Sequence, residues 1–200
     1  MGTRDRILDA AAHVMRTRGL ARTTTKEIAR AAGYSEATLY KHFSDKPDLF
    51  LAVLHERMPS FPPFKKVLIG AGGQGTLRDW LDATARTAIA FYEESFPMSA
   101  SMFSEPSLLA AHRDAAVRSG AGPQRPIEAI AGYLRAEQQR GTIRSEADCD
   151  AAAAMLIGAC LQFAFIRSFF GQPADQEAVE AYAGSVADTL AAALVPTKAR

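Results

Sequence analysis

The sequence predicts an all-α chain. Apolar residues recur at the three-to-four spacing of a helix through most of its length. Glycines and prolines punctuate that pattern where helices should end. No two runs of alternating polarity offer a credible strand pair, and there is no internal repeat. The 200 residues allow one large or two small domains, enough to bury a sizeable core. A composition of 48% hydrophobic and 22% charged residues is that of a globular rather than a disordered chain.

The first helix is expected over roughly 4–18, with Ile7, Leu8, Ala11, Ala12 and Met15 as its apolar stripe. The second begins at Thr24, whose hydroxyl can cap backbone N–H groups while Glu27 reaches back, a capping box. Ile28 and Ala32 share one face. Gly33 closes this helix because glycine takes the left-handed conformation at little cost. Ser35 caps a third helix. Leu39 and Phe43 turn its apolar side inward, leaving Glu36, Ala37, Thr38, Tyr40, Lys41 and His42 for the outer side and ends.

A fourth helix is expected over 47–58. Pro47 stands at its start, where proline is tolerated, and Leu49, Phe50, Val53 and Leu54 form its face. Pro59 marks its end, and Pro62-Pro63 is read as preventing a restart, so a loop is expected to about residue 75. Helical pattern resumes from Thr76 to about Ser95, with Leu77, Trp80, Leu81, Ala88 and Phe91 on one face and Thr84 as its polar member. Residues 96–106, containing Pro97 and Pro106, read as irregular. Further helices are expected over about 107–118, from Pro126 to Gly141, over 146–170 and over 175–194. Gly120-Ala121-Gly122-Pro123 and Gly171-Gln172-Pro173 are the breaks among them.

Residues 24–46, a helix, a glycine turn and a second capped helix, have the layout of a DNA-reading helix-turn-helix. A short helix with a polar N-terminal end and an apolar back suits the major groove, which admits one helix. Net charge is only +1 over the whole chain. Residues 1–58 hold ten lysines and arginines against seven aspartates and glutamates, an excess of three, and the remainder is net negative by two. The basic excess falls where a phosphate-facing surface would need it.

Residues 4–54 resemble the N-terminal domain of the TetR family of one-component transcription regulators. The matching pieces are Arg6-Ile7-Leu8-Asp9-Ala10-Ala11, Gly19-Leu20, Thr23-Thr24-Thr25-Lys26-Glu27-Ile28-Ala29 and Ala32-Gly33-Tyr34-Ser35. The most telling stretch is Thr38-Leu39-Tyr40-Lys41-His42-Phe43-Ser44-Asp45-Lys46 followed by Leu49-Phe50. Tyr34 departs from the pattern, since the family more often has a smaller aliphatic residue there. The resemblance implies an N-terminal three-helix DNA-binding domain over 1–46. A larger C-terminal helical domain, 47–200, would bind a small molecule and form a homodimer, with 47–58 as connecting helix.

It also implies that Thr38, Tyr40 and Lys46 hold backbone phosphates, which fixes register but not sequence. Lys46 would be helped by free N–H groups at the start of the fourth helix. Arg22, Thr24 and Thr25 are further phosphate candidates, and Ser35 belongs to the same surface. Glu36, Ala37, Lys41 and His42 are candidates for base edges, since lysine can donate to guanine and glutamate accept from cytosine. A solvated surface charge is the alternative for each.

In the C-terminal part, Trp80, Phe91, Tyr92, Phe96, Met98, Met102, Phe103, Leu108, Leu109, Tyr133 and Phe163 are numerous for helices otherwise built of alanine. Aromatics and methionines beside irregular backbone line adaptable apolar pockets; ordinary core is the alternative. His112, Arg86 and Gln162 could orient a polar ligand group. The last two helices suggest a dimer. Ala151-Ala152-Ala153-Ala154 with Gly158 and Ala159 allow close helix approach, Leu161, Phe165 and Phe169 repeat at four, and Met155 is a further interface candidate. The final helix offers Val179, Tyr182, Ala183, Val186 and Leu190. Two helices from each subunit would form a four-helix bundle; alternatively these faces complete the subunit's own core.

Other chemistry has little support. Gly70, Gly72 and Gly75 satisfy G-x-G-x-x-G, with Glu93 and Glu94 about 20 residues on. That fingerprint needs a βαβ unit presenting the acid from a second strand, and here Ser95-Phe96-Pro97 follows the acids, so a linker is expected. The histidines, His13, His42, His55 and His112, show no metal-ligand spacing, and no nucleophile elbow occurs. No cofactor, metal or enzymatic activity is therefore expected. Cys149 and Cys160, roughly 16 Å apart along one helix, cannot bridge within it and read as buried thiols of a cytoplasmic protein. No signal peptide is expected, since Met1-Gly2-Thr3-Arg4-Asp5 leads straight into an amphipathic helix. The apolar stretch Ala151–Ile166 is short of the ~20 residues a membrane span needs.

Overall fold

The structure, a computed structural model, describes residues 2–69, 75–120, 122–172 and 175–196. All regular structure among these residues is helical. In chain order the helices are α1 (Thr3–Arg18), α2 (Thr25–Ala32), α3 (Glu36–Tyr40), α4 (Lys46–Glu56), α5 (Phe61–Leu68) and α6 (Leu77–Ser99). A 3₁₀ turn follows (Ala100–Ser104), then α7 (Pro106–Ser119), α8 (Gln124–Gln139), α9 (Cys149–Phe169) and α10 (Gln176–Leu194). Gly70, Gly72 and Pro173 lie outside the described residues.

Contacts gather the chain into two compact units. One is Met1–Phe61 with Glu94–Gly122; the other is Pro62–Glu93 with Pro123–Arg200. The expected division at 46/47 differs from this grouping, because α4 packs with α1 and also with α7, a later segment of the chain.

In the first unit α1 buries Ile7, Leu8, Ala11, Ala12 and Met15, packing on α2 and α4. Each such side chain removed from water contributes about 1.5–3 kcal/mol for the larger aliphatics. Ion pairs orient the helices. Arg57, just past α4, donates to Asp5 at 2.8 Å and to Asp9 at 2.7 Å on α1, and Arg4 grips Glu56 with both terminal nitrogens at 2.7 and 2.6 Å. The Arg57 guanidinium, helped by the Gly2 amide, holds the Asp5 carboxyl below its ordinary range. Tyr34, the bulky residue of the turn, lies under the Arg6 guanidinium at 5.0 Å.

In the second unit the core joins Trp80, Leu81, Ala85, Ala88 and Ile89 of α6 to Ile130 and Leu134 of α8, Leu156, Ile157 and Cys160 of α9, and Ala183 and Ala187 of α10. Thr84, buried within the α6 stripe, donates to the Trp80 carbonyl at 2.7 Å, so its hydroxyl is satisfied inside its own helix. Arg167 of α9 donates to Glu93 of α6 at 2.7 Å. Both cysteines are buried free thiols, and burial pushes that of Cys160 up to about 12.

Three expectations need correction. Residues 61–68 are helical, not loop: Pro62 and Pro63 fall in the first turn, where no intrahelical N–H partner is needed. Helix α6 does not stop at 95 but runs through Pro97 to Ser99. Proline there removes only the bond to the Glu93 carbonyl, and the chain then tightens into the 3₁₀ turn. Helix α9 has 21 residues with mean hydropathy 1.8 over its most apolar window, so length alone does not exclude a membrane span. Its packing identifies it as a core helix, since Ala153, Leu156, Ile157, Cys160 and Ala164 are buried in the fold.

Candidate nucleic-acid interface

The turn between α2 and α3 is built by local sequence. Thr24 Oγ1 accepts the Glu27 amide at 3.2 Å, and Glu27 Oε2 accepts the Thr24 amide at 3.0 Å. Gly33 takes φ 78°, ψ 27°, the left-handed conformation. Ser35 Oγ then accepts the Thr38 amide at 3.2 Å and lies 2.9 Å from the Thr38 hydroxyl. Leu39 and Phe43 are buried and anchor α3 from behind, and Ala37, Tyr40, Lys41 and His42 are exposed. Helix α3 is a single short turn, Glu36–Tyr40, with Lys41 as its C-cap.

The polar residues expected on this surface differ in how far they are engaged. Glu36 is half-buried and accepts the Thr25 hydroxyl, whose oxygen also lies 3.2 Å from the Tyr40 hydroxyl. Thr24 is occupied as a cap. Lys46 is half-buried and donates to the Ala21 carbonyl at 3.3 Å. Burial lowers its ammonium pKa, opposed by the carboxylates of Glu105 and Glu27. The start of α4 is less open to anions than expected, because Pro47 has no N–H and the Asp45 carboxylate accepts the Asp48 amide at 2.7 Å.

Intramolecular pairing sorts the cations of this unit. Arg4, Arg16, Arg18 and Arg57 are matched to Glu56, Glu94, Glu27 and Asp5/Asp9 respectively. Arg22, Lys26, Arg30 and Lys41 are exposed, and among the described residues none of them has an ion pair. Lys26 and Arg30, four apart on α2, escaped the sequence reading of the surface; their i,i+4 spacing on one exposed face was the available signal.

The residues expected to line a ligand site are divided between the units. Trp80, Phe91, Tyr92, Tyr133, Gln162 and Phe163 belong to the second; Met98, Met102, Phe103, Leu109 and His112 belong to the first. Trp80 stacks on Tyr133 with centroids 3.8 Å apart, and Phe163 on Tyr182 at 4.4 Å. Phe91 stacks on Phe64 at 5.3 Å and meets Tyr92 edge-on. Met98 and Met102 are buried, whereas Phe103 is 71% exposed. His112 packs against Phe50 at 5.5 Å. Arg86 pairs with Asp82 at 2.6 Å.

Of the dimer candidates, Met155, Gly158, Phe165 and Phe169 are exposed on α9. Tyr182 and Val186 on α10 are half-buried, and Leu190 lies in the subunit's own core.

A glycine turn, a short capped helix with its apolar back buried, and a surrounding set of uncommitted cations together define a helix-turn-helix protein of the DNA-binding class. Residues 7–53 match the family described as bacterial regulatory proteins, tetR family. Residues 83–194 match the AefR-like transcriptional repressor C-terminal domain. The chain belongs to the tetR family of bacterial regulatory proteins, which are transcriptional regulators rather than enzymes.

Among curated relatives, it is 46% identical over 48 residues to the HTH-type transcriptional regulator AcrR of Shigella flexneri, covering 24% of this chain and 22% of that protein. It spans about a quarter of the length of the curated relatives it matches. Among solved structures, a Mesorhizobium loti protein assigned to the TetR regulators superposes with TM-score 0.75 at 23% identity, covering 97% of each chain. SmeT, the repressor of the Stenotrophomonas maltophilia multidrug efflux pump SmeDEF, superposes with TM-score 0.68 at 22% identity over 99% of this chain and 93% of its own. SmeT is also known in complex with triclosan. At these identities the likeness carries the fold.

Proposed function

We propose that the chain is a ligand-responsive repressor that binds a pseudo-palindromic operator as a homodimer and is released by a small apolar or amphipathic effector. The observation that carries this reading is the face that α9 leaves uncovered. Met155, Gly158, Gln162, Phe165 and Phe169 recur at alternating spacings of three and four, all exposed, with Phe169 at 72%. A largely apolar exposed stripe, interrupted by Gln162, on a helix whose opposite side closes the core supports an association surface here. Pairing would join two reading heads, which a head with a basic excess of only three needs for useful affinity. Recognition helices would enter successive major grooves 34–36 Å apart, about one turn of the duplex.

The effector half of the proposal rests on the aromatic residues of the second unit and on the likeness to SmeT. Effector binding would favour a state with the wrong spacing between heads, with α4 as lever. Coupling of about 1–3 kcal/mol lowers operator affinity roughly five- to 150-fold. Selection of duplexes from a random pool tests the DNA half: a two-fold symmetric site bound by two chains is expected, and an asymmetric site bound by one chain refutes it. Triclosan is a suitable first probe of the effector half, with fluorescence of Trp80, the sole tryptophan, and operator occupancy read together.

A second reading, a DNA-binding dimer with no physiological effector, draws on the Trp80–Tyr133 and Phe163–Tyr182 stacks, in which the candidate ligand residues fill space against one another. Under it, operator occupancy is indifferent to triclosan and to other apolar phenols alike.

A further inference from the structure

The carboxylate of Glu36 accepts the hydroxyl of Thr25, and the same Thr25 oxygen lies 3.2 Å from the hydroxyl of Tyr40. Threonine has one hydroxyl proton. With that proton directed at Glu36, Thr25 can only accept from Tyr40, so Tyr40 is the donor of the second bond. The two hydroxyls thus form a relay, Tyr40 to Thr25 to Glu36, in which both protons run toward one anionic oxygen. Glu36 is half-buried at the first position of α3, and Thr25 opens α2, so the relay joins the two helices of the reading head across their outer ends.

A phosphate oxygen would ask the same of these groups. It is an anionic acceptor, and threonine and tyrosine hydroxyls are among the ordinary donors to it. Thr25 and Tyr40 cannot give their protons to Glu36 and to a phosphate together. A hydrogen bond to an ionised acceptor is stronger than a neutral one, so the internal bond is a real competitor. Glu36 also belongs to the same 22–46 segment as Arg22, Lys26, Arg30 and Lys41, the uncommitted cations, and its charge reduces the net positive charge of that segment.

We propose that Glu36 reads no base: its carboxylate occupies the place of a duplex phosphate against Thr25 and Tyr40, and so restrains binding to all DNA sequences equally. The inference rests on the DNA-binding reading above and adds to it an internal competitor.

The test is Glu36→Gln, which keeps the size of the side chain and an acceptor oxygen but removes the charge. Fluorescence anisotropy would follow the full-length protein on its selected operator and on a random duplex, at several salt concentrations. Both duplexes are expected to bind about two- to tenfold tighter, the worth of one hydrogen bond. Their affinity ratio should be unchanged and the salt slope no shallower. In a Thr25→Val background, where the relay is already cut, Glu36→Gln should gain less. Weaker operator binding with altered preference at one base pair would make Glu36 a base reader and overturn the proposal, as would unchanged affinity for both duplexes. If the unaltered protein binds no duplex in a salt-dependent way, the DNA-binding reading fails and this inference falls with it. If it binds and Glu36→Gln changes nothing, only the inference fails.

Discussion

The amide of Leu20 donates to the carbonyl of Met98 at 3.0 Å, and the next amide, that of Ala21, donates to Ser101 Oγ at 3.0 Å. The corner between α1 and α2 therefore hangs on the end of α6 and the 3₁₀ turn that follows it. Gly19 makes the corner possible: it has φ 76°, ψ 160°, and a Cβ there would stand 3.0 Å from Ser101 Oγ.

Gly19→Ala should thus destabilise the protein by about 1–3 kcal/mol, since this backbone region is essentially closed to other residues. Ser101→Ala should cost about 1 kcal/mol by leaving the Ala21 amide without its acceptor. The double variant should recover little, because conformation rather than the serine hydroxyl sets the larger cost. Urea unfolding measures all three; wild-type stability in Gly19→Ala would show that the corner adopts another conformation.

His112 on α7 should make stability depend on mild acid. Its Nδ1 is buried without a hydrogen-bond partner, its ring lies against Phe50, and burial lowers its pKa below 6.5. The unfolded chain then takes up the proton first as pH falls. The packed neutral ring keeps its full contribution above 6.5, loses it as pH drops from there toward the lower folded value, and loses no more beyond that. Asp5 and Glu56, whose pKa values are lowered by Arg57 and Arg4, act only below about pH 5. Thermal midpoints between pH 7.5 and 5.5 should fall less in His112→Leu than in the unaltered protein; equal falls would assign the acid sensitivity elsewhere.

The reading head was legible because its determinants are local. The Thr24–Glu27 box, the left-handed Gly33 and the Ser35 cap each act within four residues, so the chain announces them wherever it folds. Proline misled twice for the opposite reason. Pro62-Pro63 and Pro97 are tolerated by virtue of their position within a helix, which depends on where the flanking residues pack. The relay from Tyr40 through Thr25 to Glu36 joins two helices and left no mark in either. The candidate ligand-lining residues carry no such local mark: they are spread over distant stretches of the chain, with Phe91 in one compact unit and Met98 in the other.

On the DNA-binding reading, the cations of the reading head should divide into two kinds of contact. Lys46→Ala, Lys26→Ala and Arg30→Ala should each weaken binding to operator and random duplex alike. Each should also reduce the salt slope by about 0.9 if one phosphate contact is lost. Lys41→Ala should instead relax preference at particular base pairs, at about 1–3 kcal/mol of discrimination for a lost base contact. Titrations across salt concentrations on both duplexes separate the two behaviours. An unchanged slope in Lys46→Ala would remove it from the phosphate set, and a uniform loss in Lys41→Ala would move it there.

Phe169 supplies the sharpest test of assembly. Its ring is 72% exposed in one chain and meets Phe170 edge-on and Phe165 at 6.1 Å, neighbours of the same apolar end of α9. A charge at this position faces water in a monomer and is well tolerated, but it would be buried unpaired in a dimer, at several kcal/mol. Phe169→Glu is therefore expected to shift the protein to monomer in analytical ultracentrifugation while leaving its helical content and unfolding midpoint at low protein concentration nearly unchanged. Operator affinity should drop far more than affinity for a half-site, because a single head of modest charge loses the second anchorage that holds it. Met155→Glu, at the other end of the stripe, should act in the same direction. A dimer of undiminished strength in both variants would place the association surface elsewhere on the chain.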